Sequence, residues 1–304
     1  MIGDGQPGGL HRCLILIGGS EDKQGARVIL REVARRAGHG PLVVATLGSE
    51  EPEQQWQRYA QVFRELGLEE IEHLSVISRE DAMGADPVAL VRRAAAVFFT
   101  GGDQVKITTK MGGTPLYGAV RDLYDRGGLI AGTSAVASAM GEAMLVSNGR
   151  HDDAHKVRGA FYMTRGLGLV RDMIIDQHFA QRARIERLIA AVAENPAVLG
   201  LGIDEDTGVI LEGTDRLFVM GSGAVYVADG HGVTYSNMSE QASGRTLCLF
   251  DVRLHVLCHS AGFDLKTRKP FLVSAPGQVE RDAPGGAVDP PRSTPGRSRR
   301  GDAG

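Results

Sequence analysis

The segment Gly128-Leu-Ile-Ala-Gly-Thr-Ser-Ala-Val-Ala-Ser-Ala-Met140 holds the residues best placed to do chemistry. A short apolar run ends at Gly132, is followed by Thr133 and Ser134, and passes at once into small residues of helical type. A strand that turns sharply into a helix lifts the serine between them clear of the backbone, with its hydroxyl exposed as a nucleophile. The free N–H groups at the helix start, Ala135 first among them, are aimed at any oxyanion forming there. A serine N-cap at an ordinary strand-to-helix junction uses the same residues, and the segment alone fits both readings equally.

A serine nucleophile needs a base and an acid to orient it. Among nine histidines, His178 stands out because Asp176-Gln177-His178-Phe179 falls where an apolar strand, Asp172–Asp176, gives way to a helix. Asp204-Glu205-Asp206 follows a further strand, Val198–Asp204, whose carboxyl end reaches the same edge if both belong to one parallel sheet. The chain order Ser134, His178, Glu205 satisfies the triad roles without the Ser, Asp/Glu, His order of α/β-hydrolases. The alternative is a core histidine beside a surface acid run.

Phe98-Phe99-Thr100-Gly101-Gly102-Asp103-Gln104 also ends a strand. The bare backbone at Gly102 can supply a second oxyanion donor, and Gln104 projects an amide. Arg182, Arg184 and Arg187 crowd behind His178; such a trio makes a solvated helix face, or, beside a crevice, a bidentate clamp for carboxylates.

Other groupings carry less. Gly3, Gly5 and Gly8 match G-x-G-x-x-G but precede any strand and open no helix, and there is no P-loop motif, so no cofactor is expected. His151, Asp152, Asp153 and His155 lie in a polar loop. His255 and His259 end a strand-like run, where i and i+4 are about 13 Å apart, so no metal is expected.

The elements that must position these groups alternate in type. Cys13–Ile17, Leu42–Leu47, Glu70–Ile77, Ala96–Thr100 and Leu129–Gly132 read as buried strands, with helical spacing over Gly25–Ala37, Glu53–Leu66, Pro87–Ala94 and Thr114–Asp125. This predicts an α/β fold around a mostly parallel, doubly wound sheet. The second half is richer in strands: Gly208–Leu211, Leu217–Met220, Ala224–Ala228 and Thr246–Leu257 accompany one helix, Ala180–Ala193, and predict antiparallel strands extending that sheet.

Residues 13–274 are expected to form one domain. Residues 1–12 are expected to be flexible, and residues 275–304, with Pro276, Pro284, Pro290, Pro291 and Pro295 and no aromatic, a disordered tail. The charged groups, 34 basic and 37 acidic, leave a formal net charge of −3, which offers no footprint for nucleic acid or anionic lipid. No apolar stretch matches a signal core or a membrane span. Three cysteines, Cys13, Cys248 and Cys258, form no disulfide framework, and a cytoplasmic location is expected.

Five blocks carry a resemblance: L-I-G-G-S-E-D-K (16–23), F-F-T-G-G-D-Q (98–104), G-T-S-A (132–135), D-Q-H-F-A-Q-R-A-R-I-E-R-L (176–188) and G-I-D-E-D-T-G (202–208). Together they resemble the cyanophycinase branch of the serine peptidase family that also holds aspartyl dipeptidase. The resemblance implies a flavodoxin-like fold similar to class I glutamine amidotransferases. It implies a serine-type exopeptidase acting on cyanophycin, a poly-aspartate backbone bearing arginine on each side-chain carboxylate, and releasing β-Asp-Arg dipeptides. It further implies Ser134 as nucleophile, His178 as base and Glu205 as orienting acid, with Gln104, Asp176, Gln177, Arg182, Arg184 and Arg187 lining the substrate groove. The family usually writes G-T-S-A-G; Val136 replaces the last glycine and is expected to be absorbed by Ala135, Ala137 and Ser138. A dipeptidase for short aspartyl peptides and a silent polymer-binding protein are the alternatives, and homodimerisation is left open.

Overall fold

The computed structural model describes residues 12–147, 161–213, 215–239, 246–273 and 281–282. The alternation predicted for the first half is present, with one further helix, α4, that was not expected: β1 (Cys13–Ile17), α1 (Val28–Ala37), β2 (Leu42–Ala45), α2 (Pro52–Glu65), β3 (Ile71–Leu74), α3 (Ala85–Arg93), β4 (Ala96–Phe99), α4 (Gln104–Met111), α5 (Pro115–Asp125) and β5 (Leu129–Thr133). A five-residue helix α6 (Ala135–Ala139) follows. The remaining elements are β6 (Gly141–Ser147), β7 (Phe161–Arg165), β8 (Val170–Gln177), α7 (Ile185–Glu194), β9 (Leu199–Ile203), β10 (Thr207–Glu212), β11 (Arg216–Gly221), β12 (Val225–Asp229), β13 (Tyr235–Ser236), β14 (Leu249–Phe250), β15 (Arg253–Leu257), β16 (Ala261–Asp264), β17 (Lys269–Leu272) and β18 (Arg281–Asp282).

Strands β1 to β5 pair in parallel in the order β1-β5-β4-β2-β3, and β10, β11, β16, β17 and β18 extend the sheet antiparallel beyond β1. The α/β class is as expected, and Gly208–Leu211 and Leu217–Met220 extend the sheet antiparallel as expected, as β10 and β11. One expectation is corrected: β8, β9, β12, β14 and β15 do not join this sheet. All but β14, which pairs with β13, lie in a second sheet of order β15-β12-β9-β8-β6-β7, where β8 and β9 pair in parallel. The turn to it is made by α6, whose run of small residues stops at Gly141 after little more than one helical turn.

Side-chain alternation along the first sheet gives each face its own core. Ile15, Ile17, Val44, Phe98 and Ala131 pack with α1 and α2 through Leu30, Val33, Tyr59 and Phe63. Leu14, Leu16, Val43, Val97 and Ile130 face the other way, toward α3 and α5 and toward Ile175, Leu201, Ile203 and Val227 of the second sheet. Helix α7 covers the far side of the second sheet, where Leu188 and Val192 meet Phe179 and Ala228.

The helix expected over Ala180–Ala193 is broken. A single 3-10 turn, Ala180–Arg182, ends at Ala183 with φ 49°, and α7 starts afresh at Ile185. The strand expected over Thr246–Leu257 is likewise split into β14 and β15 at Asp251, where φ is 65°. Of the expected tail, Arg281 and Asp282 pair with β17. The rest of the tail, the first eleven residues and the His151–His155 group lie outside the described residues.

Candidate active site

Ser134 stands at the corner between β5 and α6 with φ 57° and ψ −124°. A positive φ on a residue with a Cβ is strained and persists only where its surroundings hold it. Its N–H donates to Ile17 O at 2.9 Å, and its own carbonyl accepts from Ala137 N–H at 3.0 Å. Gly101 packs alongside, so close that a Cβ on it would lie 3.2 Å from the Ser134 Cβ. The Gly101–Gly102 loop is fixed by Asp103, which caps α4 by accepting from the N–H groups of Val105 and Lys106 at 2.7 and 3.0 Å. Gly102 is required there, because a Cβ would sit 2.1 Å from Gly48 O.

His178 follows β8 and reaches the serine from the second sheet. Its Nε2 lies 2.8 Å from Ser134 Oγ and its Nδ1 2.6 Å from Glu205 Oε1. A carboxylate can only accept, so Glu205 fixes the proton on Nδ1 and leaves Nε2 free to accept from the serine. Burial holds the imidazole below its usual range, the Glu205 bond pulls the other way, and the charges of Arg182 and Arg184 push down again. A ring neutral at neutral pH is competent as a general base.

The two sheets meet at the loop after β1. His178 N–H donates to Gly18 O at 2.9 Å, Asp206 N–H to Gly19 O at 2.9 Å, and Gly18 N–H to Thr207 O at 2.9 Å. Asp206 also accepts from Asp22 N–H at 2.8 Å and from the Ser222 hydroxyl at 2.7 Å. The loop that carries Glu205 is thereby held against the loop that touches the base.

Next to the triad, the arginines are not equivalent. Asp176 is completely buried, and Arg187, 9% exposed, grips it with both arms of its fork, Nε to Oδ2 at 2.6 Å and Nη2 to Oδ1. Arg184 donates to Asp176 Oδ1 at 3.0 Å and to Gln177 O at 2.5 Å. The three arginines expected to line the groove alike therefore divide: Arg184 and Arg187 are committed to Asp176, and Arg182 is exposed before the helix break at Ala183. A helix face shared by all three is ruled out by that break. Gln104 Nε2 donates to Leu145 O at 2.7 Å, which ties α4 to β6. Gln177 is buried with an Oε1 that no group of the described residues satisfies.

This serine–imidazole–carboxylate relay can activate a hydroxyl for acyl transfer. The profile of peptidase family S51 matches residues 14–218 of the chain. The chain belongs to peptidase family S51. Curated relatives include the cyanophycinase of Synechococcus elongatus, 34% identical over 263 residues that cover 85% of this chain and 81% of that protein. The cyanophycinase of Nostoc sp. is 36% identical over 265 residues, covering 86% and 88% of the two chains. Among solved structures, a peptidase from an acI-B1 actinobacterium superposes with a TM-score of 0.61 at 23% identity, covering 83% of this chain and 96% of that one. A putative peptidase E protein from Listeria monocytogenes EGD-e gives 0.50 at 14% identity, covering 70% and 100%. These two likenesses concern the fold.

As an S51 peptidase the chain is a hydrolase, and the valine that follows the Ser134 turn is accommodated. Val136 is 1% exposed, and its Cγ1 fills the space beside Gly132, where a Cβ would lie 2.6 Å away. Gly132 thus makes the room, more than the small neighbours expected to do so. His255 is half-buried in β15 and His259 exposed beyond it. Glu21 lies within the 16–23 block but belongs to no motif of its own, and its buried contacts with Thr133 and Tyr59 join residues too far apart in sequence to signal one another.

Proposed function

We propose that this S51 peptidase is a cyanophycinase that hydrolyses cyanophycin through an acyl-enzyme on Ser134 and releases β-Asp-Arg dipeptides. The observation that carries the reading is the Ser134–His178–Glu205 relay, 2.8 and 2.6 Å between partners, in a chain whose curated relatives are named cyanophycinase. Ser134 Oγ attacks the scissile carbonyl as its proton passes to His178 Nε2. Glu205 steadies the imidazolium. The N–H groups of Gly102 and Ala135 receive the oxyanion, the imidazolium protonates the departing amine, and a water activated by the neutral imidazole releases the acyl group.

Substrate chemistry fits the groups left open around the relay. Cyanophycin carries guanidinium donors on every side chain, and the buried Gln177 Oε1 is an acceptor in need of one. Arg182 is an exposed cation available to a carboxylate, and Gln104, half-buried at the start of α4, is a further polar contact. Asp176 and Arg184 hold the Gln177 backbone from both sides, at its N–H and at its carbonyl, and Arg187 holds Asp176. Three cysteines without disulfides support a cytoplasmic setting, and no described helix is long and apolar enough to cross a membrane.

Insoluble cyanophycin incubated with the purified protein tests the reading, with products identified by mass spectrometry. Release of β-Asp-Arg by the wild type and none by Ser134→Ala is the expected result. An intact polymer, or equal release by the variant, overturns it.

A further inference from the structure

One buried acid lies outside the relay described above. Glu21 is 3% exposed, and three donors from three parts of the chain converge on it. The Thr133 hydroxyl donates to Oε2 at 2.6 Å, the Tyr59 hydroxyl of α2 donates to Oε1, and Lys23 Nζ lies 3.1 Å from Oε1. Lys23 also donates to the Glu21 carbonyl at 3.1 Å and sits 5.0 Å from the centroid of the Tyr59 ring. Burial raises the proton affinity of the carboxyl, but the Lys23 charge and the two hydroxyl donors outweigh it and hold the group below the usual range, as a carboxylate. A buried charge of this kind is no better for stability than a packed apolar cluster, so its placement calls for another reason.

The placement gives one. Glu21 ends the loop that begins at Gly18, and that loop touches both reacting partners. Gly18 O accepts from His178 N–H, Gly19 lies against the imidazole, and Ile17 O, just before the loop, accepts from Ser134 N–H. At its far end the loop turns through Ser20, φ 50°, to bring the carboxylate onto Thr133, the residue that precedes Ser134. We propose that Glu21 is a positioning residue: by holding the Thr133 hydroxyl it locks the 18–21 loop, which seats His178, to the strand end that presents Ser134, and so sets the distance from Oγ to Nε2. Lys23 and Tyr59 keep that acid ionised and aimed.

The proposal rests on Ser134 being the nucleophile, and the test separates the two claims. Thr133→Val and Thr133→Ser are compared in the full chain for kcat and KM on cyanophycin, for the second-order rate of labelling by a fluorophosphonate, and for thermal midpoint, with Ser134→Ala alongside. Displacing a reacting group by about an ångström costs on the order of 100-fold, so Thr133→Val is expected to lose between about 10-fold and 100-fold in kcat and in labelling rate, with KM within about twofold. Thr133→Ser, which keeps the hydroxyl, is expected to recover to within about threefold of wild type. Glu21→Gln should follow the valine variant; if it does not fold, the Thr133 pair still decides. Wild-type rates in Thr133→Val, a serine variant no better than the valine one, or a loss carried by KM would each overturn the positioning role. Hydrolysis that survives in Ser134→Ala would instead overturn the nucleophile itself.

Discussion

Gly19 lies flat against the imidazole of His178: a Cβ built on it would fall 2.3 Å from Cε1 and 2.5 Å from Nε2. With φ 106°, the backbone there also disfavours any L side chain. The ring is therefore held from one side by a surface that only glycine provides. Gly19→Ala is expected to swing the imidazole off Ser134 and lower kcat by about 100-fold, with a smaller change in KM. Turnover within a few-fold of wild type would show that the ring has room to spare.

Ser134 and His178 are expected to act as one unit. Each alanine variant should lose several orders of magnitude, and the double variant should be no slower than the worse single one. Burst kinetics and steady-state rates on an activated ester measure this. A double variant slower by the product of the two losses would mean that the residues contribute independently.

Arg187 and Arg182 should fail in different ways. Arg187→Ala leaves Asp176, completely buried, with Arg184 as its one charge partner among the described residues. Breaking such a buried pair costs about 3–5 kcal/mol, so urea unfolding should show a clear loss of stability, only partly restored by lysine because the fork is gone. Arg182→Ala should leave the unfolding midpoint in place and lower kcat/KM on the polymer by about tenfold, with a small ester unaffected. An unchanged midpoint for Arg187→Ala would show that Asp176 finds another partner.

The pH dependence follows from His178. Burial lowers the folded-state pKa beneath the ordinary 6.5, against the upward pull of Glu205. The acid limb of kcat/KM is thus expected below pH 6.5, and Glu205→Gln should move it to still lower pH while reducing the plateau by about 100-fold or more. For stability, the unfolded ring binds its proton at a higher pH than the native one. The native state therefore loses stability as pH falls from 6.5 through the folded-state pKa, and gains none from this group above 6.5. A limb that moves upward in Glu205→Gln would contradict the assigned contact.

The first five strands and helices α1, α2, α3 and α5 were legible because short apolar runs and helical spacing alternate there between turn residues; α4 was not, its start at Gln104 following directly on the Gly101–Asp103 loop. The second sheet was not. After Ser134 the small residues up to Met140 read as the start of an ordinary helix, and nothing in them marks the stop at Gly141 that sends the chain into a new sheet. Ser134, His178 and Glu205 could be singled out all the same, since each follows a strand end, and the structure brings the three side chains into contact. The arginines were legible as a group but not in their division. Asp176 recruits partners eight and eleven residues later across a backbone break, a pairing that spacing alone does not announce.

In the proposed relay Ser134 is mounted on the first sheet and His178 on the second, while Glu205 lies in the loop that passes from β9 of the second sheet to β10 of the first. Hydrolysis is in this sense a gauge of how two slabs are aligned, read at a contact of 2.8 Å. Slippage of an ångström along the seam would silence the gauge with both slabs still intact. Activity should then vanish at a lower temperature or urea concentration than the far-ultraviolet circular dichroism signal, and a covalent adduct on Ser134 that also contacts His178 would act as a rivet, drawing the two transitions together.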